Sequence, residues 1–470
     1  MKLNRRSFFS RSGAVAMAFA GLRHVAQAGT DTRNYQQLDA ALGSDFFRVI
    51  DLLPGFQYEL LSEVGERMSD GLMVPGLHDG MGAFKGPDGT TVLVRNHELG
   101  PEHGQYSPYG PRNHGLRKVD LSQVYDTGKG RVPGLGGTTN LVYDTSRRKL
   151  LRHFLSLAGT YRNCAGGITP WDTWITCEEA VEKPGDDEKV PSDIEQAHGY
   201  NFEVPAWSDI RLTTPVPLKA MGRFRHEAVA VDPRTGIVYQ TEDRFDGLFY
   251  RFIPSTPGQL HRGGRLQALR LRDLPRCDTR NWLERRVSVG ARMPVEWVDL
   301  ENVSSPDDDL RYQGFFEKGA ARFARGEGCW WGRDAVYLCC TNGGAKRKGQ
   351  ILRYIPGPEE GRLGEAANPG HLELFIEPND GNLVDNCDNG CIAPWGDMIV
   401  CEDGGAVPHH IIGITPDGKI YKLGRTTLSE LAGPCFSPDG STLFVNIQVP
   451  GVTVAITGPW DQLRKLAVPV

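Results

Sequence analysis

The fold is decided by the stretch from Asn163 to Glu179, which reads Asn-Cys-Ala-Gly-Gly-Ile-Thr-Pro-Trp-Asp-Thr-Trp-Ile-Thr-Cys-Glu-Glu. A Gly-Gly-x-Thr-Pro turn leads into Trp174, Ile175 and Thr176, whose aromatic and β-branched side chains suit a buried strand. The strand stops on a thiol and two carboxylates. The stretch therefore predicts a turn, a buried strand and a strand end that carries chemically reactive groups.

The same pattern returns five more times along the chain. A turn rich in Gly or Asp precedes a short apolar strand, and the strand ends in polar residues. The further strand ends are Asn96-His97-Glu98, Thr241-Glu242-Asp243-Arg244, Cys339-Cys340-Thr341-Asn342, Cys401-Glu402-Asp403-Gly404 and Asn446. Radially repeated sheets bring the ends of their strands to one central opening. We therefore predict an all-β fold, a six-bladed β-propeller with long loops and a few short helices; a β-sandwich is the alternative.

Residues 1–28 have the features of an export signal. Asn4-Arg5-Arg6-Ser7-Phe8-Phe9 is a twin-arginine box, residues 13–22 are apolar, and Ala26-Gln27-Ala28 fits a cleavage site. The apolar run is too short to span a bilayer. We predict export by the twin-arginine machinery to a periplasmic or secreted location; an ordinary secretory signal that carries two arginines is the alternative.

The composition favours one domain without a nucleic-acid partner. The 470 residues include 53 basic and 58 acidic side chains, a net charge of −5. Removal of the signal takes away five basic residues and no acidic ones, so the mature net charge is −10. Nucleic-acid binding needs a basic surface, and no other apolar run is long enough to span a membrane. Since no low-complexity linker is present, we expect residues 29–470 to form a single propeller domain and a monomer.

The ten cysteines do not follow a zinc-site pattern, because the sequence has no Cys-x-x-Cys pair. A disulfide between Cys387 and Cys391 remains open, whereas the adjacent Cys339 and Cys340 would bond each other only with strain. A ligand role for one cysteine is favoured over a role for two. Cys177 is the best-placed candidate, because it lies beside a glutamate at a strand end.

Acidic residues recur beside an aromatic residue, a glycine or an arginine at turns and strand ends. They are Glu98, Glu178, Glu227, Glu242, Asp243, Glu327, Asp385, Glu402 and Asp403. Several carboxylates at one opening would raise each other's pKa unless cations separated them. Carboxylate oxygens suit Ca²⁺ or Mg²⁺, and one thiolate among them suits a transition metal such as iron. The alternative for each acid alone is a surface salt bridge, and the acidic segments 181–198 and 303–312 are interpreted as solvated loops.

Together these motifs resemble the PhoX-type alkaline phosphatase family. The resemblance rests on Asn96-His97-Glu98, Arg325-Gly326-Glu327 and residues 163–179, 222–227, 241–243, 385–386 and 396–404, and it extends over essentially the whole mature chain. It implies a six-bladed propeller with a cluster of Fe³⁺ and Ca²⁺ in the central channel. It also implies hydrolysis of small phosphate esters.

The resemblance further implies roles for individual residues. The implied metal ligands are Cys177, Glu178, Glu227, Glu327 and Asp385, and the implied phosphate-contacting residues are Arg325 and Asn96. A planar guanidinium can donate two hydrogen bonds to oxygens on phosphorus. No serine or histidine nucleophile is then required, and His97 and His226 are interpreted as groups that orient the ligands.

Two other classes of function remain open from the sequence. A calcium-dependent lactonase or esterase propeller would use the acidic opening without a thiolate, and iron content distinguishes it from a phosphatase. A non-catalytic, calcium-stabilised propeller would bind a partner through residues 99–135 and 181–198. Turnover of a phosphoester distinguishes that class.

Overall fold

The computed structural model describes residues 26–27, 49–186, 193–305, 307, 309–378 and 383–467. The predicted signal at residues 1–28 therefore lies outside the described residues, apart from residues 26 and 27. Within these ranges, no helix has the length and apolar character needed to cross a membrane.

The described residues form β-strands and loops, with short helical turns, so the all-β prediction is confirmed. The strands are β1 (Ala26–Gln27), β2 (Asp51–Leu52), β3 (Gln57–Glu63), β4 (His78–Lys85), β5 (Thr91–His97), β6 (Gly136–Asp144), β7 (Lys149–Thr160), β8 (Asn163–Ile168), β9 (Thr173–Glu178), β10 (Asn201–Pro205), β11 (His226–Val231), β12 (Val238–Glu242), β13 (Phe249–Pro254), β14 (Gly264–Leu271), β15 (Arg292–Asp299), β16 (Gly326–Gly332), β17 (Ala335–Cys340), β18 (Gln350–Ile355), β19 (His371–Ile376), β20 (Cys387–Ile392), β21 (Met398–Glu402), β22 (His409–Ile414), β23 (Ile420–Thr426), β24 (Leu431–Phe436), β25 (Leu443–Ile447) and β26 (Val452–Thr457). The 3-10 turns are Pro87–Gly89, Pro101–Tyr106, Pro111–Lys118, Leu121–Gln123, Gly128–Gly130, Lys219–Met221, Leu260–Arg262, Glu365–Ala367 and Trp460–Leu466, and one α-turn at Leu310–Tyr312 continues into a π-turn at Gln313–Glu317.

These strands form five antiparallel sheets. Their orders are β1-β3-β26-β25-β24, β10-β9-β8, β2-β23-β22-β21-β20, β4-β5-β6-β7 and β11-β12-β13-β14-β15-β19-β18-β17-β16. In the nine-stranded sheet, pairing of β15 with β19 joins two successive groups of strands.

Six strands at sheet edges contact one another in a closed ring. The contacts run from β4 to β8, β11, β16, β20 and β24, and from β24 back to β4. The sheets extend outward from this ring, which is a propeller-like arrangement. Early strands complete the sheets of late ones, because β3 pairs with β26 and β2 pairs with β23.

Each ring strand contains a β-bulge near its start, where two of its residues lie opposite one residue of the neighbouring strand. In β4, His78 pairs with His97 but Met81 pairs with Arg95. The same shift occurs in β8, β11, β16, β20 and β24. A bulge re-aims its side chains, and residues from five of these bulges converge at one end of the ring.

The ring strands approach so closely that several positions require glycine, and Gly80 and Gly328 are two of them. A Cβ atom on Gly80 in β4 would lie 2.6 Å from the Cα atom of Ala165 in β8. A Cβ atom on Gly328 in β16 would lie 2.6 Å from the carbonyl oxygen of Asp388 in β20. Both distances are below van der Waals contact, so a larger residue would push two ring strands apart.

Replacement of Gly80 by alanine is therefore expected to destabilise the protein. We expect a loss of about 1–3 kcal/mol in the free energy of unfolding, which is typical of overpacking, measured by chemical denaturation. Gly104→Ala is the matched control, because nothing lies within 4 Å of a Cβ atom there. Equal effects of the two substitutions would contradict the close packing of the ring.

Candidate metal and phosphate site

A polar cavity of about 220 Å³ lies where the bulges converge. Nine carboxylates, one thiol, one guanidinium and one amide line it. The lining residues are Asp79, Glu98, Cys164, Glu179, Glu227, Asp243, Arg325, Glu327, Asp388, Asp403, Glu430 and Gln448. A single guanidinium cannot compensate the charge of nine carboxylates, so the cavity calls for cations.

Five of the lining side chains come from the bulges themselves. They hold the same position in successive ring strands and are Asp79 in β4, Cys164 in β8, Glu227 in β11, Glu327 in β16 and Asp388 in β20. The matching position in β24 is Gly433, whose φ of 58° lies in the left-handed region. The repeated bulge thus gives similar strands a ring of groups that could ligate a metal ion.

Two groups of three carboxylates are close enough to share a cation. They are Glu227 with Glu327 and Asp388, and Asp79 with Glu98 and Glu430, and within each group the ligand oxygens lie within 4.8 Å of one another. The first group is buried throughout. Oxygen donors at this spacing fit a hard cation such as Ca²⁺.

More acidic residues lie at the ends of the strands that pair with the ring strands, and we call them the second tier. Here two acids adjacent in sequence have different roles. The Glu178 carboxylate accepts hydrogen bonds from the backbone N–H groups of Tyr161 and Gly199 at 2.9 Å each, and it contacts His198 Nδ1 at 2.6 Å. Glu179, the next residue, lines the cavity. Successive side chains point to opposite sides of a strand, so the first acid anchors a loop and the second faces the cavity.

The same division of roles occurs in two other sheets. Glu242 accepts hydrogen bonds from a backbone N–H and a tyrosine hydroxyl, whereas Asp243 lines the cavity. Glu402 accepts a hydrogen bond from the backbone N–H of Asp385 at 2.7 Å, whereas Asp403 lines the cavity. Three acidic pairs therefore each combine one structural and one site carboxylate.

Arg325 supplies the guanidinium of the cavity. Its Nε and Nη2 atoms donate to Asp243 at 2.9 Å each, and Nη2 also donates to Glu327 at 2.8 Å. Its Nη1 atom lies 3.9 Å from Asp403. Burial lowers the pKa of Arg325, but the carboxylates of Glu327, Asp243 and Asp403 outweigh burial and raise it. The guanidinium is therefore held charged and in a fixed orientation.

Two further arginines hold matching positions in neighbouring sheets. In Arg162, Arg225 and Arg325 alike, the carbonyl oxygen accepts a hydrogen bond from the backbone N–H that follows the second strand. Arg162 Nη1 lies 3.9 Å from Glu98, and Arg225 Nη1 lies 3.5 Å from Glu179. Three cationic side chains thus border the acidic cavity.

Of the predicted site residues, Glu227, Glu327 and Arg325 line the cavity together. The other four, Asn96, Cys177, Glu178 and Asp385, are not among the lining residues. Asp385 contacts the ammonium group of Lys348 at 2.6 Å. The predicted orienting groups His97 and His226 contact backbone carbonyl oxygens through their rings, and they do not line the cavity.

Asn96 is fully buried and fixes the bulge that carries Cys164. Its amide donates to the carbonyl oxygens of Cys164 and Ala165 at 2.9 and 2.7 Å. Its own carbonyl oxygen accepts from Trp174 Nε1 and Thr176 Oγ1 at 2.9 Å each. These four hydrogen bonds all join Asn96 to groups of the protein itself, so the residue is placed to position the β8 bulge.

Cys177 lies in an apolar cluster with Ile175 and Leu218 and is fully buried. Cys164, from the same stretch of sequence, belongs to this cluster too, but it also lines the cavity, and its thiol lies 3.3 Å from the carbonyl oxygen of His226. Burial raises the pKa of the Cys164 thiol, and the carboxylates of Glu227 and Glu179 raise it further. A thiolate at Cys164 therefore depends on a bound cation.

Sequence reasoning missed six lining residues. They are Asp79, Cys164, Glu179, Asp388, Glu430 and Gln448. A signal for the bulge residues is present in the sequence, because an acid or thiol is followed by a small residue or asparagine at the start of five ring strands. These dipeptides are Asp79-Gly80, Cys164-Ala165, Glu227-Ala228, Glu327-Gly328 and Asp388-Asn389.

Comparison with known proteins identifies the family. A family model described as alkaline phosphatase PhoX matches residues 35–451. The chain belongs to the alkaline phosphatase PhoX family. The resemblance inferred from the sequence motifs is therefore confirmed.

Two solved structures are similar to this chain, and the first of them agrees with it in fold. Pseudomonas fluorescens PhoX in complex with vanadate, a transition state analogue, is similar over 87% of this chain and 96% of its own, at 18% identity and a TM-score of 0.65. XC5397 from Xanthomonas campestris, a gluconolactonase, is similar over 88% of this chain and 99% of its own, at 12% identity and a TM-score of 0.36. No curated protein sequence matches the chain.

In this member of the PhoX family, seven of the cavity carboxylates have raised pKa values, and they are Asp79, Glu98, Glu179, Glu227, Glu327, Asp388 and Glu430. Burial is the main cause, and neighbouring carboxylates add to it. The pKa of Glu98 rises to about 8, and those of Glu179 and Asp388 rise to about 7 each. Without cations, the folded state therefore retains protons on these groups at pH values where the unfolded chain has lost them.

Stability of the cation-free protein should consequently fall as the pH rises from about 5 to about 8. Across this range the folded state binds more protons than the unfolded state, so each step upward in pH favours unfolding. Addition of Ca²⁺ should raise the melting temperature more at pH 8 than at pH 5, because ionised carboxylates bind the cation and protonated ones do not. A melting temperature independent of both pH and Ca²⁺ would contradict a clustered, cation-dependent cavity.

Proposed function

We propose that the protein is a metal-dependent phosphomonoester hydrolase of the alkaline phosphatase type. The carrying observation is the cavity itself, in which nine carboxylates surround a charged, doubly anchored Arg325. The carboxylates suit cations that bind phosphate oxygens, and the guanidinium suits the phosphoryl group directly. The relative from Pseudomonas fluorescens binds vanadate, a transition state analogue. That observation belongs to the relative, and it supports the same chemistry in this chain.

The residues fit a mixed set of cations, proposed as Fe³⁺ and Ca²⁺. Cys164 supplies a soft sulfur ligand beside the carboxylates of Glu227 and Glu179. A sulfur ligand suits a transition metal better than it suits Ca²⁺. The groups Glu227, Glu327 and Asp388, and Asp79, Glu98 and Glu430, offer the oxygens that Ca²⁺ prefers. When bound, such cations supply Lewis-acid activation of a phosphate ester and of the attacking water.

Arg325 is the proposed contact to the transferred phosphoryl group. Its Nε and Nη2 atoms are held by Asp243 and Glu327, so the plane of the guanidinium is fixed before substrate binds. Nη1, 3.9 Å from Asp403, is then directed to donate to an equatorial oxygen on phosphorus, where negative charge develops. Arg162 and Arg225 are proposed to attract the anionic substrate to an otherwise acidic opening.

Asn96 was predicted to contact phosphate. We propose that it acts indirectly, through a cavity residue, and does not touch the substrate. Its four hydrogen bonds to protein groups support a role in positioning Cys164. No observation tests the ligand roles predicted for Cys177, Glu178 and Asp385, and the residues that line the cavity are proposed as ligands in their place. The hydrogen bonds of Glu178 and the ion pair of Asp385 compete with such roles.

The finer architecture and the location are also proposals. If the nine-stranded sheet is counted as two blades, the six ring strands each begin one blade, which supports a six-bladed propeller over residues 29–470. All ten cysteines are buried free thiols, so Cys387 and Cys391 are not bonded to each other. A chain whose core keeps ten thiols reduced suits folding in the cytoplasm before twin-arginine export, with residues 1–28 as the signal.

A pair of cysteine substitutions tests the proposed function. Cys164→Ser should lose bound iron and lower the turnover of 4-nitrophenyl phosphate by about 100-fold or more, because even groups that only support metal ligands cost 10–100-fold. Cys177→Ser is the matched control from the same sequence stretch. It should keep iron and turnover while its free energy of unfolding falls, because a hydroxyl replaces a thiol in an apolar cluster.

Three results would contradict this account. Wild-type turnover in Cys164→Ser would remove the thiol from the site. Loss of iron in Cys177→Ser but not in Cys164→Ser would restore the assignment made from the sequence. A wild-type protein that binds Ca²⁺ without iron and does not hydrolyse phosphomonoesters would favour the lactonase or the binding propeller instead.

A further inference from the structure

An exposed aromatic pair lies beside the arginine of the cavity. Phe245, in the loop between β12 and β13, is 62% exposed. Its ring centroid lies 6.3 Å from that of the partly buried Trp282, with the two ring planes at 62°. Large aromatic side chains are costly to leave in water, so this pair is a candidate for contact with a ligand.

The backbone connects this pair closely to the site. Phe245 follows the cavity residue Asp243 by two positions, so their Cα atoms are at most about 7 Å apart. Between them, the carbonyl oxygen of Arg244 accepts a hydrogen bond from the backbone N–H of Arg325 at 2.9 Å. The loop that is hydrogen-bonded to the backbone of Arg325 therefore also carries the exposed phenylalanine ring, two residues from a carboxylate that lines the cavity.

Trp282 is connected to the backbone of the same arginine through a second loop. Its Nε1 donates at 2.7 Å to the carbonyl oxygen of Asn342. The preceding residue, Thr341, donates its backbone N–H to the carbonyl oxygen of Arg325 at 3.0 Å. Arg325 thus lies between two loops, and each of them leads to one ring of the aromatic pair.

Two guanidinium groups contact the ring of Trp282, whereas the ring of Phe245 is exposed and accessible to a ligand. The guanidinium carbon of Arg280 lies 4.0 Å from the Trp282 ring centroid, and that of Arg347 lies 4.7 Å from it. Arg280 also donates to the carbonyl oxygen of Phe245 at 2.8 Å. These contacts hold the Trp282 ring in place. The Phe245 ring is exposed and lies beside the positively charged Arg280.

Another exposed phenylalanine of the same domain shows what an incidental surface ring looks like. Phe316, in the π-turn, is 60% exposed; its ring stacks on that of Tyr312 with 6.2 Å between centroids and meets that of Phe315 edge-on at 5.1 Å. It has no link to the cavity comparable to that of Phe245. Exposure alone therefore does not distinguish Phe245, whereas its backbone connection to the cavity residues Asp243 and Arg325 does.

We propose that Phe245 and Trp282 form a leaving-group subsite that binds a planar aromatic ring, a nucleobase or an aryl group, of a phosphomonoester whose phosphate is held at Arg325. The ring stacks on the exposed face of Phe245 against the edge formed by Trp282, and Arg280 and Arg347 add attraction for an electron-rich ring. This inference rests on the proposed phosphatase function and specifies which esters that function prefers.

Kinetics with two substrates that share a leaving oxygen test the subsite. Adenosine 5′-monophosphate and ribose 5-phosphate both release a primary alcohol, but only the first carries a base. In Phe245→Ala, the ratio of kcat/KM for adenosine 5′-monophosphate to that for ribose 5-phosphate should fall about tenfold, a loss typical of one stacking contact. Phe245→Tyr should restore the ratio to within about twofold of wild type, because the tyrosine ring stacks equally well. Phe316→Ala, the matched control, should leave the ratio unchanged.

The outcomes separate this inference from the function on which it rests. If the metal-loaded wild type hydrolyses both substrates and Phe245→Ala leaves the ratio unchanged, the subsite is overturned and the phosphatase assignment stands. An equal fall for both substrates also overturns it, because Phe245 would then act only through the Arg325 loop. If the wild type hydrolyses neither substrate, the phosphatase assignment fails and the subsite fails with it.

Discussion

The mutual repulsion of nine carboxylates in one cavity is the constraint on which the rest of the structure depends. Such a cluster is unfavourable in the folded protein unless its charge is neutralised by protons or cations. The fold nevertheless holds the carboxylates together, because they are attached to a closed ring of strands that cannot separate without breaking the contacts between sheets. The stability of the ring therefore offsets the repulsion. Cations that bind in the cavity would stabilise the folded protein.

The β-bulge is the local device that builds this site. Each bulge directs one residue of a ring strand into the cavity, and polar side chains of the neighbouring sheets hold the bulges in place. Asn96 donates to the carbonyl oxygen of Cys164, Thr241 donates to that of Glu327 at 2.6 Å, and Asn446 donates to that of Asp79. The polar residues at the strand ends that repeat in the sequence therefore act mainly by positioning the bulge residues of a neighbouring sheet. Site geometry and ring closure are thus one property of the fold.

The radial arrangement and several acidic residues at strand ends could be predicted, because the turns and the polar strand ends repeat along the sequence. Glu98, Asp243 and Asp403 were expected at the opening on that ground, and they line the cavity. Of the five bulge residues that line the cavity, Glu227 and Glu327 were expected, whereas Asp79, Cys164 and Asp388 were missed, because they lie near strand starts and not at the polar strand ends that repeat in the sequence. The prediction of Cys177 rests on the expectation that ligands lie where strands end, whereas the residue from this stretch that lines the cavity is Cys164, near the start of a ring strand. Similarly, adjacent acids such as Glu178 and Glu179 have the same sequence character, and only the direction of the strand end divides their roles.

The central claim is that the bulge residues hold the cations, and crystallography with anomalous scattering tests it most directly. Crystals of the natively exported protein, measured at the iron edge and after replacement of calcium by a heavier divalent cation, would locate each ion. The account predicts ions within about 2.0–2.6 Å of ligand atoms from Cys164, Glu227, Glu327 and Asp388, as is usual for metal coordination. Ions bound by Cys177, Glu178 or Asp385, with the bulge carboxylates left unligated, would contradict it.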